Sequence, residues 1–184
     1  MSNNLAENLF IITAPSGAGK TTLIKNVIEF AKKNDEKVFM SVSDTTRIPR
    51  SNELDGTDYL FISEEEFKVN IDDQIYIEHA RVHGNLYGTP KQPIEQHLKS
   101  GFKVLLEIDW QGAMEILKTY PEAQSIFICP PSIEELHKRL HDRGLDSAEV
   151  IAERIHGAKL EMEKSSKFKY QIINNSLETA FKNL

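Results

Sequence analysis

The feature that most constrains this chain is the segment FIITAPSGAGKTTLIKNVIEFAKK, residues 10–33. It contains an apolar strand, then a glycine-containing loop with a lysine and two threonines, then apolar residues at helical spacing. The loop nearly matches the pattern G-x-x-x-x-G-K-[ST], with Ala14 in the place of the first glycine. An alanine is tolerated there if its φ is negative, because only a left-handed backbone requires glycine.

This segment predicts a loop that binds the phosphates of a nucleoside triphosphate. Gly17 and Gly19 let the backbone turn and direct N–H groups inward, and the following helix adds the positive end of its dipole. Lys20 is predicted to reach the β- and γ-phosphates, and the hydroxyl of Thr21 to meet Mg²⁺. The alternative is a glycine-rich turn with a solvated lysine, which the order of strand, loop and helix disfavours. The predicted ATP-binding loop consists of Ala14, Pro15, Ser16, Gly17, Ala18, Gly19, Lys20, Thr21 and Thr22.

Strands and helices alternate along most of the chain, which predicts an α/β fold with a parallel sheet flanked by helices, as in P-loop NTPases. Strands are expected at residues 9–13, 37–43, in KVLLEID, in SIFIC and at 170–173. Helices are expected at 21–33, from an N-cap at Thr89 to Gly101, at 113–120, after Ser132, at 148–167 and at 177–184.

Two parts of the chain depart from that alternation. Residues 44–88 contain two strand patterns, TDYLFIS and IYIEHARV, on either side of a helix start at Ser63 with Glu66 three residues on. They predict a small, partly antiparallel insertion. Residues 132–156 predict a pair of helices rich in arginine.

Composition limits the classes of function. A length of 184 residues fits one domain, and a net charge of -6 argues against a general nucleic-acid or membrane surface. The single cysteine, Cys129, lies in an apolar run and predicts a buried thiol rather than a nucleophile. No apolar run is long enough to span a bilayer, and the first residues show no secretory signal, so a cytoplasmic location is expected.

Two carboxylates end the apolar strand KVLLEID, at Glu107 and Asp109. Ligands of open α/β sheets bind at the carboxyl ends of strands. Because side chains alternate along a strand, both carboxylates are expected to point to one face, where they could orient magnesium-bound water or a substrate hydroxyl. The alternative is that one of them only caps the next helix.

Longer motifs identify a resemblance that covers almost the whole chain in order. They are SVSDTTRIPR, ELDGTDY, IEHARVHGNLYGTP, EIDWQG and FICPPSIEELHKRLHDRG. Together with APSGAGK at the loop, they resemble the guanylate kinases, especially the bacterial enzymes. The resemblance implies ATP-dependent phosphorylation of GMP, and of dGMP, in purine nucleotide metabolism, with Mg²⁺ accompanying ATP.

The resemblance also implies an enzyme of three parts within one domain. These are a core at about 1–43, 89–131 and 157–184, a GMP-binding insertion at about 44–88, and a lid at about 132–156. The implied GMP-binding residues are Ser43, Arg47, Arg50, Tyr59, Glu78, Tyr87, Thr89 and Asp109. Of these, the arginines and tyrosines would hold the phosphate, and the other four would bind the guanine. One carboxylate can accept both N1–H and N2–H₂ of guanine, whereas adenine presents an acceptor at N1.

Three lid arginines, Arg139, Arg143 and Arg154, together with Lys20, are the implied catalytic residues. They would stabilise charge on the transferred group, and Asn174 would lie beside the ATP base. The chain departs from the family at Glu107 and Asn175, where the family usually has aspartate, and the family usually continues the last helix for several turns. Surface arginines are otherwise most often solvated or paired with glutamate.

Two other classes of function compete with this one. Guanylate-kinase-like binding modules usually lose the residues of the phosphate loop, which this chain retains. A kinase for another nucleoside monophosphate is disfavoured by Glu78 together with Ser43. The histidine pair His79 and His83 is predicted not to bind zinc, because the two lie four apart on a predicted strand.

Overall fold

A computed structural model describes residues 5–51, 53–82, 84–142, 144 and 147–184. The main sheet has five strands, β1 (Leu9–Thr13), β2 (Val38–Met40), β7 (Lys103–Glu107), β8 (Gln124–Cys129) and β9 (Tyr170–Ile173). Their order is β2-β7-β1-β8-β9, and every neighbouring pair is parallel. The predicted parallel sheet is therefore confirmed. Its central strand, β1, leads directly into the glycine-containing loop.

The second sheet lies in the stretch predicted as an insertion, residues 44–88, except that its last strand continues to Pro90. It has four strands, β3 (Asp44–Thr45), β4 (Leu60–Phe61), β5 (Tyr76–Val82) and β6 (Asn85–Pro90), in the order β4-β3-β6-β5. β6 runs antiparallel to both β3 and β5, and β3 runs parallel to β4. Tyr76 helps to hold this sheet together, because its ring stacks on Phe67 and its hydroxyl donates to Asp44 at 2.8 Å.

Seven α-helices connect these strands in the described residues. They are α1 (Lys20–Lys33), α2 (Glu64–Asp72), α3 (Lys91–Lys99), α4 (Trp110–Thr119), α5 (Ile133–Asp142), α6 (Ala148–Met162) and α7 (Leu177–Asn183). The predicted caps at Ser63 and Ser132 are confirmed, since their hydroxyls accept the N–H of Glu66 and Glu135. Short 3-10 turns occupy Leu5–Asn8 and Ser165–Lys167. No helix in these described ranges is long and apolar enough to cross a membrane.

Buried apolar side chains form a core on each face of the main sheet. Leu9, Ile11 and Phe127 belong to the cluster that includes α3 and α4 residues, and Ile12 and Ile128 to the cluster that includes α1 and α7 residues. A third, smaller cluster joins α5 to α6 through Leu136, Leu140, Ile151 and Ala158. The α5–α6 pair thus has apolar packing of its own, separate from the two main clusters.

Several predicted element boundaries were wrong, each for a local reason. Residues 37–43 do not form one strand; β2 ends at Met40, and the chain then passes to the second sheet, where β3 begins at Asp44. Thr89 does not cap α3, because it continues β6 opposite Glu78, and Pro90 takes the cap position. The helix predicted at 113–120 begins earlier, at Trp110, because Asp109 caps it.

Two further expectations need correction. α6 ends at Met162 instead of 167 and is followed by the 3-10 turn. Cys129 is only partly buried, because it is the last residue of β8. Burial still raises the pKa of its thiol, which agrees with the expectation that it is not a nucleophile.

Candidate active site

The glycine-containing loop joins β1 to α1 at the carboxyl edge of the main sheet. Gly17 and Gly19 have φ of 88° and 90°, values that favour glycine. Ala14 has no positive φ, so an alanine fits the first position of the pattern as expected. Gly19 caps α1 without a side chain, and the first N–H groups of a helix have no intrahelical acceptor. The loop therefore presents a positive helix end and a flexible lysine, as a phosphate site requires.

Lys20 and Thr21 both face the end of β7. The Thr21 hydroxyl donates to Glu107 Oε1 at 2.6 Å, and Lys20 Nζ lies 3.4 Å from the Ile108 carbonyl and 3.9 Å from Glu107 Oε1. These longer contacts hold the ammonium group only weakly. Glu107, for which sequence alone gave no firm role, is thus the carboxylate next to the expected metal ligand.

Asp109 plays a different part from Glu107. β7 ends at Glu107 and Asp109 lies beyond it, so the prediction that one strand carries both carboxylates on one face is wrong. Asp109 Oδ1 accepts the N–H of Gly112 at 2.8 Å and so caps α4, which was the alternative interpretation. Asp109 also lies close enough to Glu78 to raise the pKa of that carboxyl, so it both caps the helix and borders the acceptor site.

Glu78, Thr89 and Ser43 form a buried polar group at the edge of the second sheet. Glu78 is only 3% exposed, and its Oε1 accepts from the Thr89 hydroxyl at 2.5 Å. The Ser43 and Thr89 hydroxyls are 3.0 Å apart. Burial raises the pKa of Glu78 to about 7, and the charges of Asp109 and Glu115 add to the rise, against the hydrogen bond from Thr89. This buried carboxylate can accept a pair of hydrogen bonds from a ligand.

Arg47 and the two predicted tyrosines form a second cluster. Arg47 Nε donates to the Tyr87 hydroxyl at 3.2 Å, and its guanidinium lies 5.5 Å from the centre of the Tyr59 ring. The two tyrosine rings meet edge to face at 5.8 Å. Burial raises the pKa of Tyr59 to about 12, so its hydroxyl stays protonated and able to donate. Arg50 is more exposed than Arg47.

Glu53 joins the two arginines, a role that the sequence analysis did not assign. Its Oε1 lies 2.8 Å from Arg47 Nη2 and 3.7 Å from Arg50 Nη1, and its Oε2 accepts the backbone N–H of Arg50 at 2.8 Å. Hydrogen bonds from both arginines hold the pKa of Glu53 below its usual value, despite burial. A carboxylate three residues after Arg50 in RIPRSNE was the available sequence signal.

The helical pair reaches the phosphate loop through Arg139 and Asn174. Arg139 donates to Glu135 Oε1 and to the Asn174 carbonyl, both at 3.1 Å. The Asn174 side chain donates to the Ala18 carbonyl at 2.8 Å, so here it supports the loop. Arg154 lies on α6. Arg143 and His83 fall outside the described residues.

One further carboxylate borders this site without any signal in the sequence. Burial raises the pKa of Glu161, near the end of α6, to about 7; the charge of Asp109 adds to the rise and that of Lys20 opposes it. The last turn of α6 therefore faces the region between the loop and Asp109. Among the described residues, no group of three or more histidine, cysteine or acidic side chains is placed to hold a metal ion. The oxygen donors near the loop are Thr21 and Glu107, and Mg²⁺ in nucleotide sites commonly takes one or two protein oxygens plus phosphates and water.

Comparison with known proteins gives one consistent result. The sequence model of the family described as guanylate kinase matches residues 6–184. A protein from Dechloromonas aromatica named guanylate kinase is 47% identical over 98% of this chain and 87% of its own length. Another of that name, from Aromatoleum aromaticum, is 48% identical over 96% and 84%. The crystal structure of guanylate kinase from Anaplasma phagocytophilum has a TM-score of 0.75 at 33% identity, covering 95% of this chain and 80% of that one.

Proposed function

Because this chain belongs to the guanylate kinase family, we propose that it transfers the γ-phosphoryl group of ATP to GMP, giving ADP and GDP. The observation that carries the proposal is the buried carboxylate of Glu78, which lies near Asp109. Asp109 follows β7, and β7 pairs with β1, the strand that leads into the phosphate loop. Guanine N1–H and N2–H₂ are adjacent donors that one ionised carboxylate accepts together. dGMP is an expected acceptor as well, since no contact in this argument involves the 2′-hydroxyl.

The phosphate loop binds ATP. The N–H groups of the first turn of α1 and the ammonium group of Lys20 receive the phosphate oxygens. Lys20 is free to do so, because its contacts with Ile108 and Glu107 are long. Thr21 gives its hydrogen to Glu107 and keeps its oxygen lone pairs for a cation. Mg²⁺ bound there with ATP would neutralise part of the charge on the β- and γ-phosphates.

The second sheet and the residues around it bind both the base and the phosphate of GMP. Glu78, with Ser43, Thr89 and Asp109 around it, accepts the donors of the base. Arg47, Arg50, Tyr59 and Tyr87 donate to the phosphate, for which paired guanidinium groups are well suited. The two ends fix the acceptor phosphate relative to the bound ATP.

The transfer step needs position and charge more than proton transfer. A phosphate oxygen of GMP attacks the γ-phosphorus, the bond to the β–γ bridging oxygen breaks, and negative charge grows on the ADP side. Arg139, Arg154 and Arg143 are proposed to stabilise this charge from the lid. Comparable arginines contribute about 10³–10⁵ in rate. Closure over both nucleotides would exclude water, which otherwise accepts the phosphoryl group.

The test is ADP release with GMP, dGMP, AMP, CMP and UMP offered singly to the parent and to Glu78→Gln. We expect GMP and dGMP to give the highest kcat/KM in the parent. The amide turns one acceptor into a donor, so kcat/KM for GMP and dGMP should fall about 10- to 100-fold in Glu78→Gln, and that for AMP less.

Glu115→Gln is the matched control for this test. Glu115 is exposed on α4 and acts on Glu78 only through its charge. We expect its kcat/KM for GMP to stay within about twofold of the parent. A parent that prefers another acceptor, or a GMP-to-AMP ratio that Glu78→Gln leaves unchanged, would contradict the proposal.

A further inference from the structure

Gly112 stands against the carboxylate of Glu78. It lies in the first turn of α4 and is buried, and its N–H donates to Asp109 Oδ1 at 2.8 Å. A Cβ added at Gly112 would lie 2.8 Å from Glu78 Cδ, and closer still to Glu78 Oε2. Because Gly112 has no side chain, the Glu78 carboxylate can occupy the space that a Cβ would fill.

The backbone gives no reason for a glycine at this position. Gly112 has no positive φ, in contrast to Gly17 and Gly19. Alanine also favours a helix more than glycine does. The three atoms nearest to the added Cβ among the described residues, outside the helix's own backbone, are two of the Glu78 carboxylate group and Asp109 Oδ1, the last at an ordinary 3.4 Å. What Gly112 accommodates is thus one side chain of the acceptor site.

Glu78 has little freedom to move away from an added methyl group. It is 3% exposed, and Thr89 holds its Oε1 on the other side. Its backbone pairs with that of Thr89 across β5 and β6, so the strand itself is fixed. An added methyl group would therefore rotate or displace the carboxylate while leaving the strand and the helix in place.

We propose that Gly112 is a positioning residue for base recognition, which keeps the Glu78 carboxylate where it can accept both donors of guanine. This inference rests on the proposed function, and it adds a residue on the core helix α4 to the selection of the base. It also explains how the core and the second sheet fit together at the acceptor site. The N-terminal turn of α4 binds Asp109 through one N–H and leaves room for Glu78 at the same residue.

The test compares Gly112→Ala with Gly157→Ala. Gly157 is the matched control because it too is helical, on α6, and no atom of the described residues outside the helix's own backbone lies within 4 Å of its added Cβ. For Gly112→Ala we expect KM for GMP to rise about 10- to 100-fold, with KM for ATP within about twofold of the parent. Gly157→Ala should keep both KM values. A substitution that only disturbed the fold would raise KM for both GMP and ATP and lower Tm. Gly112→Ala should instead raise KM for GMP alone.

The background Glu78→Asp keeps the inference testable if Gly112→Ala folds poorly. Aspartate is one methylene shorter than glutamate, so its carboxylate should lie farther from the methyl group added at residue 112. We expect Gly112→Ala to change KM for GMP less than twofold in that background, or to restore folding if the single variant lacks it. The inference is overturned if Gly112→Ala has parental KM for GMP, or if neither the single nor the double variant folds. Absence of GMP turnover in the parent would instead overturn the proposed function.

Discussion

Glu78 is a carboxylate whose ionisation the fold opposes. Burial raises its pKa to about 7, and guanine donors require its ionised form. At pH 6 only about a tenth of such groups are ionised, so the Kd for GMP should be about tenfold higher at pH 6 than at pH 8. Calorimetric titration with GMP across this range measures the effect. Glu78→Gln should retain only the dependence that comes from the phosphate of GMP, and equal slopes in parent and variant would contradict the assignment.

The same pKa shift acts on stability with the opposite sign. The pKa of Glu78 in the folded protein lies above its usual value of 4.5, so between about pH 4.5 and 7 the folded state binds more protons than the unfolded state. The contribution of this group to the free energy of unfolding therefore decreases as pH rises through that window. Ionisation of Glu78 is thus expected to increase the affinity for GMP while it decreases the free energy of unfolding.

Sequence could identify single residues only where a motif or a resemblance named them. The structure brings Ser43, Glu78 and Thr89 within hydrogen-bond reach, although they are far apart in sequence. Glu53 and Glu161 went unrecognised, because a glutamate on a loop or at a helix end is usually solvated. What makes them part of the site is burial and neighbouring charge, which depend on how α6 and the loop after β3 pack.

At the scale of elements, α5 lies against the phosphate loop at Gly17. A Cβ added at Gly17 would lie 3.0 Å from both Leu136 Cδ1 and Leu140 Cδ2, and its φ of 88° already disfavours a side chain. Gly17→Ala should therefore shift the loop or α5 and raise KM for ATP at least about tenfold, with a smaller effect on KM for GMP.

Gly101→Ala provides the control for that experiment. Gly101 has a φ of 77° just after α3, and its added Cβ has no neighbour within 4 Å in the part of the chain that the structure describes. Both variants carry the same kind of backbone strain, roughly 1 kcal/mol, so both should lower Tm by a few degrees. Only Gly17→Ala should alter nucleotide kinetics. If both variants altered KM for ATP equally, contact between the loop and α5 would not be the cause.

Most elements were predictable because local chemistry determines them. The strands β1, β7 and β8, each with a continuous apolar run, agree with the expectations, and so do the serine caps of α2 and α5. The predictions from sequence were wrong where the side chain of a residue suits one structural role and the residue has another. Thr89 has the side chain of a helix cap, but its hydroxyl bonds to Glu78 and its backbone continues a strand. Nor could spacing show that residues 44–45 belong to a different sheet from residues 38–40.

At the scale of the whole molecule, the proposed ATP and GMP sites meet near Glu107, which contacts Thr21, and Asp109, whose charge acts on Glu78. If closure requires both nucleotides, their effects on stability should exceed the sum of the separate effects. One ligand at about 100 times its Kd adds about 2.7 kcal/mol, or about 5–10 °C in Tm for a chain of this size. Thermal unfolding with GMP, with a non-hydrolysable ATP analogue, and with both measures this directly.

Hydrogen exchange identifies which parts respond in that experiment. We expect the second sheet and α6 to exchange more slowly with both ligands than with either one. The strands of the main sheet serve as the internal control, since they are packed on both faces already. Strictly additive effects on Tm, with no extra protection in α6, would show that the two sites close independently.

Arg47 already has a partner before any phosphate arrives. An oxyanion that binds this guanidinium has to compete with the carboxylate of Glu53, which lies 2.8 Å from Arg47 Nη2 and is largely shielded from water. Inorganic phosphate or sulfate can offset the free energy of this competition only through its own charge. A nucleotide meets the same cost with its base also bound at Glu78, at the far end of the site. If GMP binds as proposed, we therefore expect free anions to be poor competitors for this site.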